Sequence, residues 1–195
     1  VPGGRAFAAW TEYDGPLWVA RSANGGQAFS KAVRVAGARG ERPARAPSLA
    51  STNDGLLLLA WTEGDQPLAD LRIPRSSDGG RSFEPVATLG ERGYSDAPRL
   101  ATGRDGVVHA AWGESEGGPF RRQRVLHSRS RDGGRQWEPP RTVVGDLPPY
   151  VSAGFPSLAL DGQGSVFVLA ELHEDVTQLP RALAIAMSTD GGGTF

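Results

Sequence analysis

The hydrophobic positions of this chain fall in short segments rich in Val, Leu and Trp, bounded by Gly, Asp, Asn and Pro. That is the strand-and-turn pattern of an all-β fold. Four segments recur in phase: FAAWTE (Phe7 to Glu12), LLAWTE (Leu58 to Glu63), HAAWGE (His109 to Glu114) and FVLAE (Phe167 to Glu171). Their glutamates, Glu12, Glu63, Glu114 and Glu171, lie 51, 51 and 57 residues apart. A second landmark, PSLA at Pro47, PRLA at Pro98 and PSLAL at Pro156, recurs at intervals of 51 and 58. Each later unit is thus predicted to hold four short strands. The first follows the proline, the second carries the AAW-type segment, the third leads into a serine and the fourth follows an aromatic residue. RALAIAMS (Arg181 to Ser188) has a helix-forming composition. Its register with the other units assigns it to a strand, and Pro180 before it opposes continuation from a helix.

Between the third and fourth strands stands the motif S-x-[DN]-G-G-x-x-[FW], called the box below. The copies are SANGGQAF (Ser22, Asn24, Phe29), SSDGGRSF (Ser76, Asp78, Phe83), SRDGGRQW (Ser130, Asp132, Trp137) and STDGGGTF (Ser188, Asp190, Phe195). Their acidic or amide positions are 54, 54 and 58 residues apart. A period of roughly 50 residues built from short strands is the signature of a propeller. The residue types suit a tight turn: paired glycines supply positive φ, and the Asp or Asn side chain accepts from backbone N–H groups and from the serine. The aromatic ring tucks back under the unit. The boxes are expected to be structural rather than catalytic.

The four copies resemble the Asp-box, or bacterial neuraminidase repeat, of sialidases and of many non-enzymatic propellers, and the resemblance covers essentially the whole chain. It implies a β-propeller of four-stranded antiparallel blades, with the boxes on the face opposite the ligand site. The expected organisation is one partial propeller over 1–195, with blades at about 1–42, 43–93, 94–151 and 152–195. The first and last blades are incomplete, because the chain begins at the position equivalent to Asn53–Gly55 and ends inside the fourth box. A piece of a larger propeller is expected, with self-association of the incomplete blades as the other possibility.

If the strand order holds, the loops opposite the boxes are the variable ones: from repeated glutamate to box serine the distances are 10, 13, 16 and 17 residues. Such loops on a rigid scaffold carry binding residues. The candidates from the between-unit loops are Arg42, Arg92, Tyr94, Asp96 and Tyr150, with Arg39, Arg45 and Asp146 beside them. Those from the strand-two ends are Glu12 with Tyr13, Glu63 with Asp65, Glu114 with Glu116, and Glu171 with His173. One reading makes them an arginine-bearing mouth for an acidic sugar or peptide; the other makes them ordinary solvated loop residues. Sialidases of the resembled kind use an arginine triad, a tyrosine nucleophile activated by a glutamate, and an aspartic acid/base. They also carry an (F/Y)RIP segment, and LRIP occurs here at Leu71 to Pro74. It runs straight into a box, however, so Arg72 is expected on a third strand and outside any triad. GESEG (Gly113 to Gly117) fits G-x-S-x-G without the helix a nucleophile elbow needs. His173–Glu174 opens like H-E-x-x-H but ends in Thr177.

Composition narrows the classes. The formal net charge of −1 argues against a nucleic-acid partner. The absence of cysteine removes disulfides, thiolate metal sites and a cysteine nucleophile. No apolar run approaches the ~20 residues that span a bilayer, and VPGGRAFAAW has no leader pattern. No cofactor and no metal are expected. The location expected is secreted, periplasmic or cell-surface, in a bacterium. The function expected is a non-catalytic binding or scaffold module for a glycan or protein. The alternative is a retaining exo-sialidase-type hydrolase whose other catalytic residues lie outside this chain.

Overall fold

The computed structural model describes residues 4–12, 15–65, 67–84, 88–90, 93–118 and 120–195. Tyr13 and Arg92 lie outside them. Every regular element among the described residues is a β-strand, and they group into four antiparallel units. Unit I holds β1 (Ala6–Thr11), β2 (Leu17–Ser22) and β3 (Val33–Ala36). Unit II holds β4 (Ala44–Ser51), β5 (Leu57–Asp65), β6 (Leu68–Arg72), β7 (Arg75–Ser76) and β8 (Thr88–Leu89). Unit III holds β9 (Tyr94–Thr102), β10 (Val108–Ser115), β11 (Gln123–Ser130) and β12 (Arg141–Val144). Unit IV holds β13 (Ser152–Leu160), β14 (Val166–His173) and β15 (Ala182–Ser188). Among the described residues, units II and III share one sheet through a single parallel bridge, Ala69 to Tyr94. The first strands of successive units lie side by side, β1 by β4, β4 by β9 and β9 by β13.

Successive units pack face to face. Leu17 and Val19 of unit I meet Leu59 and Trp61 of unit II. Leu58 and Ala60 on the other face of β5 meet Val108, Ala110 and Trp112, and Ala111 and Val125 meet Val166, Val168 and Ala170. Alternation puts successive residues of one strand into different interfaces. The runs Leu58–Trp61 and Ala110–Trp112 are therefore apolar and buried at every position, because the middle units are covered on both sides. RALAIAMS is strand, as expected. Ala182, Ala184 and Ala186 face unit III, whereas Leu183, Ile185 and Met187 are 62%, 68% and 52% exposed.

The prolines do not start the first strands; they sit inside them. In β4, Arg45 pairs with Thr62 and Ser48 with Ala60, so Ala46 and Pro47 together oppose Trp61. The same two-against-one bulge sets Ala97 and Pro98 against Trp112, and Phe155 and Pro156 against Ala170. Ala46, Ala97 and Phe155 take φ of 50°, 47° and 47°, a left-handed conformation that costs non-glycine residues energy. A bulge is also where a residue without an N–H is tolerated in a ladder. The first strands of units II, III and IV thus begin three, four and four residues before their prolines, and Tyr94 and Asp96 stand within β9 rather than in a loop.

The turns close as their chemistry requires. The box serine donates to the acidic or amide oxygen at 2.7, 2.8, 2.8 and 2.6 Å in units I to IV. It accepts from the N–H of the second glycine at 3.0, 2.8, 2.8 and 2.8 Å. That glycine has a further task, because each later box docks on the preceding unit. A Cβ on Gly134 would stand 2.6 Å from Leu58 Cδ2, and one on Gly192 2.7 Å from His127 Cε1. The rings are less uniform than expected. Phe83 and Trp137 pack against the inter-unit cores, but Phe29 and Phe195 remain 47% and 39% exposed.

Candidate binding face

The face opposite the boxes carries the starts of β4, β9 and β13 and the ends of β5, β10 and β14. The bulges bring one residue of each first strand to a common level: Arg45, Asp96 and Gly154, opposite Thr62, Gly113 and Glu171. The Arg45 guanidinium lies 5.5 Å from the centre of the Tyr94 ring, a cation–π distance. Its Nη2 donates to Gly64 O at 3.0 Å, and its Nε is buried without a partner among the described residues. Tyr94 itself is buried. Burial pushes the Asp96 carboxyl above the ordinary aspartate range, against the opposing pull of the Ala97 N–H at 2.8 Å and the charges of Arg45 and Arg99.

One strand over, Glu114 is likewise raised by burial, while Ser95 Oγ donates to it at 2.6 Å and Trp112 Nε1 at 2.9 Å. Asp70 adds to that rise and Arg124 opposes it. These two carboxyls contrast with the box aspartates, whose acidities are shifted the other way by the donors around them. Asp96 and Glu114 do not form a pair. Glu114 is paired across the ladder with Ser95, the neighbour of Asp96 on β9, so the two side chains leave opposite faces of the same sheet.

A second cluster gathers in unit II. Arg42 Nη1 pairs with Asp70 Oδ2 at 2.5 Å, Arg72 Nε with Glu63 Oε2 at 2.8 Å, and Arg72 Nη2 with Asp70 Oδ2 at 3.5 Å. Arg72 is on the third strand, where LRIP was expected, and is held between two carboxylates. Asp70 was missed in the sequence; its signal was the D-x-R alternation that puts both side chains on one face of β6. The remaining candidates stand apart. Glu12 accepts Trp18 Nε1 at 3.1 Å. Tyr150 packs half-buried against the core between units III and IV, and His173 lies 3.9 Å from Glu171.

Glu171 is not the fourth member of the glutamate series. Glu63 opposes Ala44 and Glu114 opposes Ser95, but the residue at that level in unit IV is Leu172, opposite Ala153. A one-residue slip moves a side chain to the other face, and Glu171 accordingly shares the register of Thr62 and Gly113. The sequence carried the sign: the last proline interval is 58, whereas the glutamate interval is 57. Among the described residues no group of three or more His, Asp or Glu side chains is placed to hold a metal ion. No helix there is long and apolar enough to cross a membrane.

No family model matches the chain, and no curated protein matches it by sequence. Solved structures do match by shape. An α-L-arabinanase of Penicillium chrysogenum, solved with arabinobiose, superposes with a TM-score of 0.73 at 22% identity, over 97% of this chain and 61% of that one. The Hadza microbial sialidase Hz136 gives 0.64 at 17%, over 91% and 44%. A NanB sialidase of Streptococcus pneumoniae gives 0.65 at 14%, over 96% and 29%. The chain therefore has a sialidase-like propeller fold and spans less than two thirds of each of these structures.

Proposed function

We propose that this chain is a glycan-recognising part of a sialidase-like propeller, and that its ligand docks on the face opposite the boxes, at Arg45, Tyr94 and Asp96. The observation that carries this reading is the common level of Arg45 and Asp96, created by bulges that hold strained backbone on neighbouring first strands. Strain of this kind persists where the surroundings over-determine it, and it clusters at functional sites. Burial favours the protonated form of Asp96, and a protonated carboxyl donates a hydrogen bond to a sugar hydroxyl or ring oxygen. A guanidinium seated on an aromatic ring offers a rigid fork to a sugar carboxylate. The units are the blades of one array, 1–42, 43–93, 94–151 and 152–195, and its setting is secreted or cell-surface.

The reading is non-catalytic. Retaining glycosidases of the two-carboxylate kind need those groups about 5–5.5 Å apart across one bond, and Asp96 and Glu114 leave opposite faces of one sheet; the tyrosine-nucleophile route of sialidases is left to the second reading. An exo-sialidase-type hydrolase is the second reading. It is favoured by the raised pKa of Asp96, whose direction suits a general acid, and by glycosidases among the structures of similar shape; its other catalytic groups would lie outside this chain. A glycan array on the chain, followed by fluorogenic sialoside and arabinoside assays on the full-length protein, separates the two. Binding lost in Arg45→Ala and Asp96→Asn without turnover supports the module. Turnover lost in Asp96→Asn supports the hydrolase. Binding indifferent to both substitutions sinks the site.

A further inference from the structure

Two concavities lie side by side on the opposite, box-bearing face, with cavity volumes of about 680 and 660 Å³, and Asp54 and Ser77 line both. The first lies between the boxes of units I and II, with Phe7 and the exposed Phe29 in its wall and Arg5, Arg21 and Arg81 around it. The second runs on between the boxes of units II and III, with Arg104, Arg131 and Arg135. We infer that this double groove is a second binding site, for a linear acidic polysaccharide whose rings carry carboxylate or sulfate groups.

The lining explains the choice. Its carboxylates are occupied by their own turns. Asp78 accepts from Ser76, Ser82 and two backbone N–H groups, and Asp132 from Ser130 and the Gln136 N–H. Asp54 accepts from Thr52, Asp105 from the Val107 N–H, and Glu84 is paired with Arg75. Four of the six arginines are not so occupied: Arg81 donates to the Asp78 carbonyl and Arg131 is paired with Glu138, but no hydrogen bond or ion pair among the described residues engages the guanidinium of Arg5, Arg21, Arg104 or Arg135. Forked donors left open in a concave, partly apolar groove fit anionic groups bidentately, and each cavity has the volume of a small-ligand site. Glu84 takes both Arg75 donors on Oε2 and keeps Oε1 for a sugar hydroxyl. The interleaved carboxylates repel a nucleic-acid backbone, which carries a charge about every 3.4 Å along each strand. A ligand that alternates widely spaced anions with hydroxyl donors matches both halves of the lining. The site shares no residue with the Arg45–Asp96 face and does not depend on it.

Calorimetric titration of the intact chain with polygalacturonate, dextran sulfate and neutral dextran tests the proposal. At least one acidic polymer binds, neutral dextran does not, and affinity falls with added salt as the charges are screened. Arg5→Ala/Arg21→Ala and Arg104→Ala/Arg135→Ala each weaken binding by about tenfold or more. The Lys counterparts, which keep the charge and lose the fork, also weaken it, so the result does not hinge on one variant folding. Arg121→Ala/Arg122→Ala, in the loop between β10 and β11 on the other face, leaves it unchanged. Which polymer binds separates carboxylate from sulfate recognition. The proposal is overturned by no binding of either acidic polymer, by an equal loss in the Arg121/Arg122 control, or by duplex DNA binding as tightly as the polysaccharide.

Discussion

The box serine shows how much one hydroxyl holds. Ser76 is fully buried and serves the Asp78 carboxylate and the Gly80 N–H at once. Ser76→Ala leaves that N–H unpaired in the interior, a loss of about 1–3 kcal/mol to be read from urea unfolding. Gly134→Ala costs at least as much, because it adds a Cβ against Leu58 at a φ of +85°. Acidity separates the two faces as well. The box aspartates are lowered by their donors, so their stabilisation is complete above the ordinary aspartate range and is lost as pH falls below it. Asp96 is raised by burial, so the sign reverses. The unfolded chain gives up this proton first, and stability is lost as pH rises through the raised value. Asp96→Asn is therefore expected to unfold at a higher temperature than wild type at pH 7, with the gap closing toward pH 4. An unchanged difference between those pH values would contradict the raised pKa of Asp96.

Between elements, the docking of the last box on unit III turns on two histidines. His109 Nδ1 and His127 Nε2 are 3.1 Å apart, and Phe195 stands edge-on to His127 at 4.9 Å. The contact has one proton to share, and burial pushes the two groups down to about 4 and about 3. Arg129, Arg131 and Arg141 face the pair as further positive charge, with Glu138 and Asp105 opposing them. Arg129 also donates to the carbonyls of Asp190 and Gly191, tying the box to β11. Between pH 6.5 and about 4 the unfolded chain takes up protons that the folded pair refuses, so stability falls as pH falls. The thermal midpoint is expected to drop across that range, and His127→Gln to flatten the drop; an equal slope in the variant would show that the pair is not its source. His109 and His127 lie on β10 and β11, and their spacing in the sequence holds no sign that they touch. Their meeting depends on the β10–β11 register, in which Ala111 opposes His127 and His109 opposes Arg129.

Across the whole molecule, the stacking that covers both faces of the middle units leaves the outer faces of units I and IV uncovered among the described residues. In unit IV the face carries Leu183, Ile185 and Met187; in unit I it carries Trp10, 40% exposed. A contiguous apolar face of this kind drives association. The 195-residue chain is expected to run above its 20.6 kDa monomer mass in light scattering, and Ile185→Glu to shift it toward monomer. A monomeric wild-type chain at micromolar concentration would count against an apolar face open to a neighbour.

The repeat, the strands and the box turns were legible in the sequence because each is closed by groups two to four residues apart. Ser76 reaches Asp78 and Gly80, and a glycine supplies the φ at which the chain reverses. The same local logic placed Arg72 on a third strand. It misplaced Tyr94 and Asp96, since the proline expected to precede the strand is tolerated inside it, in a bulge that Trp112 opposes. It also grouped Glu171 with the other glutamates, because a motif does not reveal which face of a sheet it lands on. The acidity of Asp96, the seat of Arg45 on Tyr94 and the histidine contact were decided by tertiary structure alone. Burial and the meeting of neighbouring units are properties of how sheets stack, and no spacing within one unit encodes them.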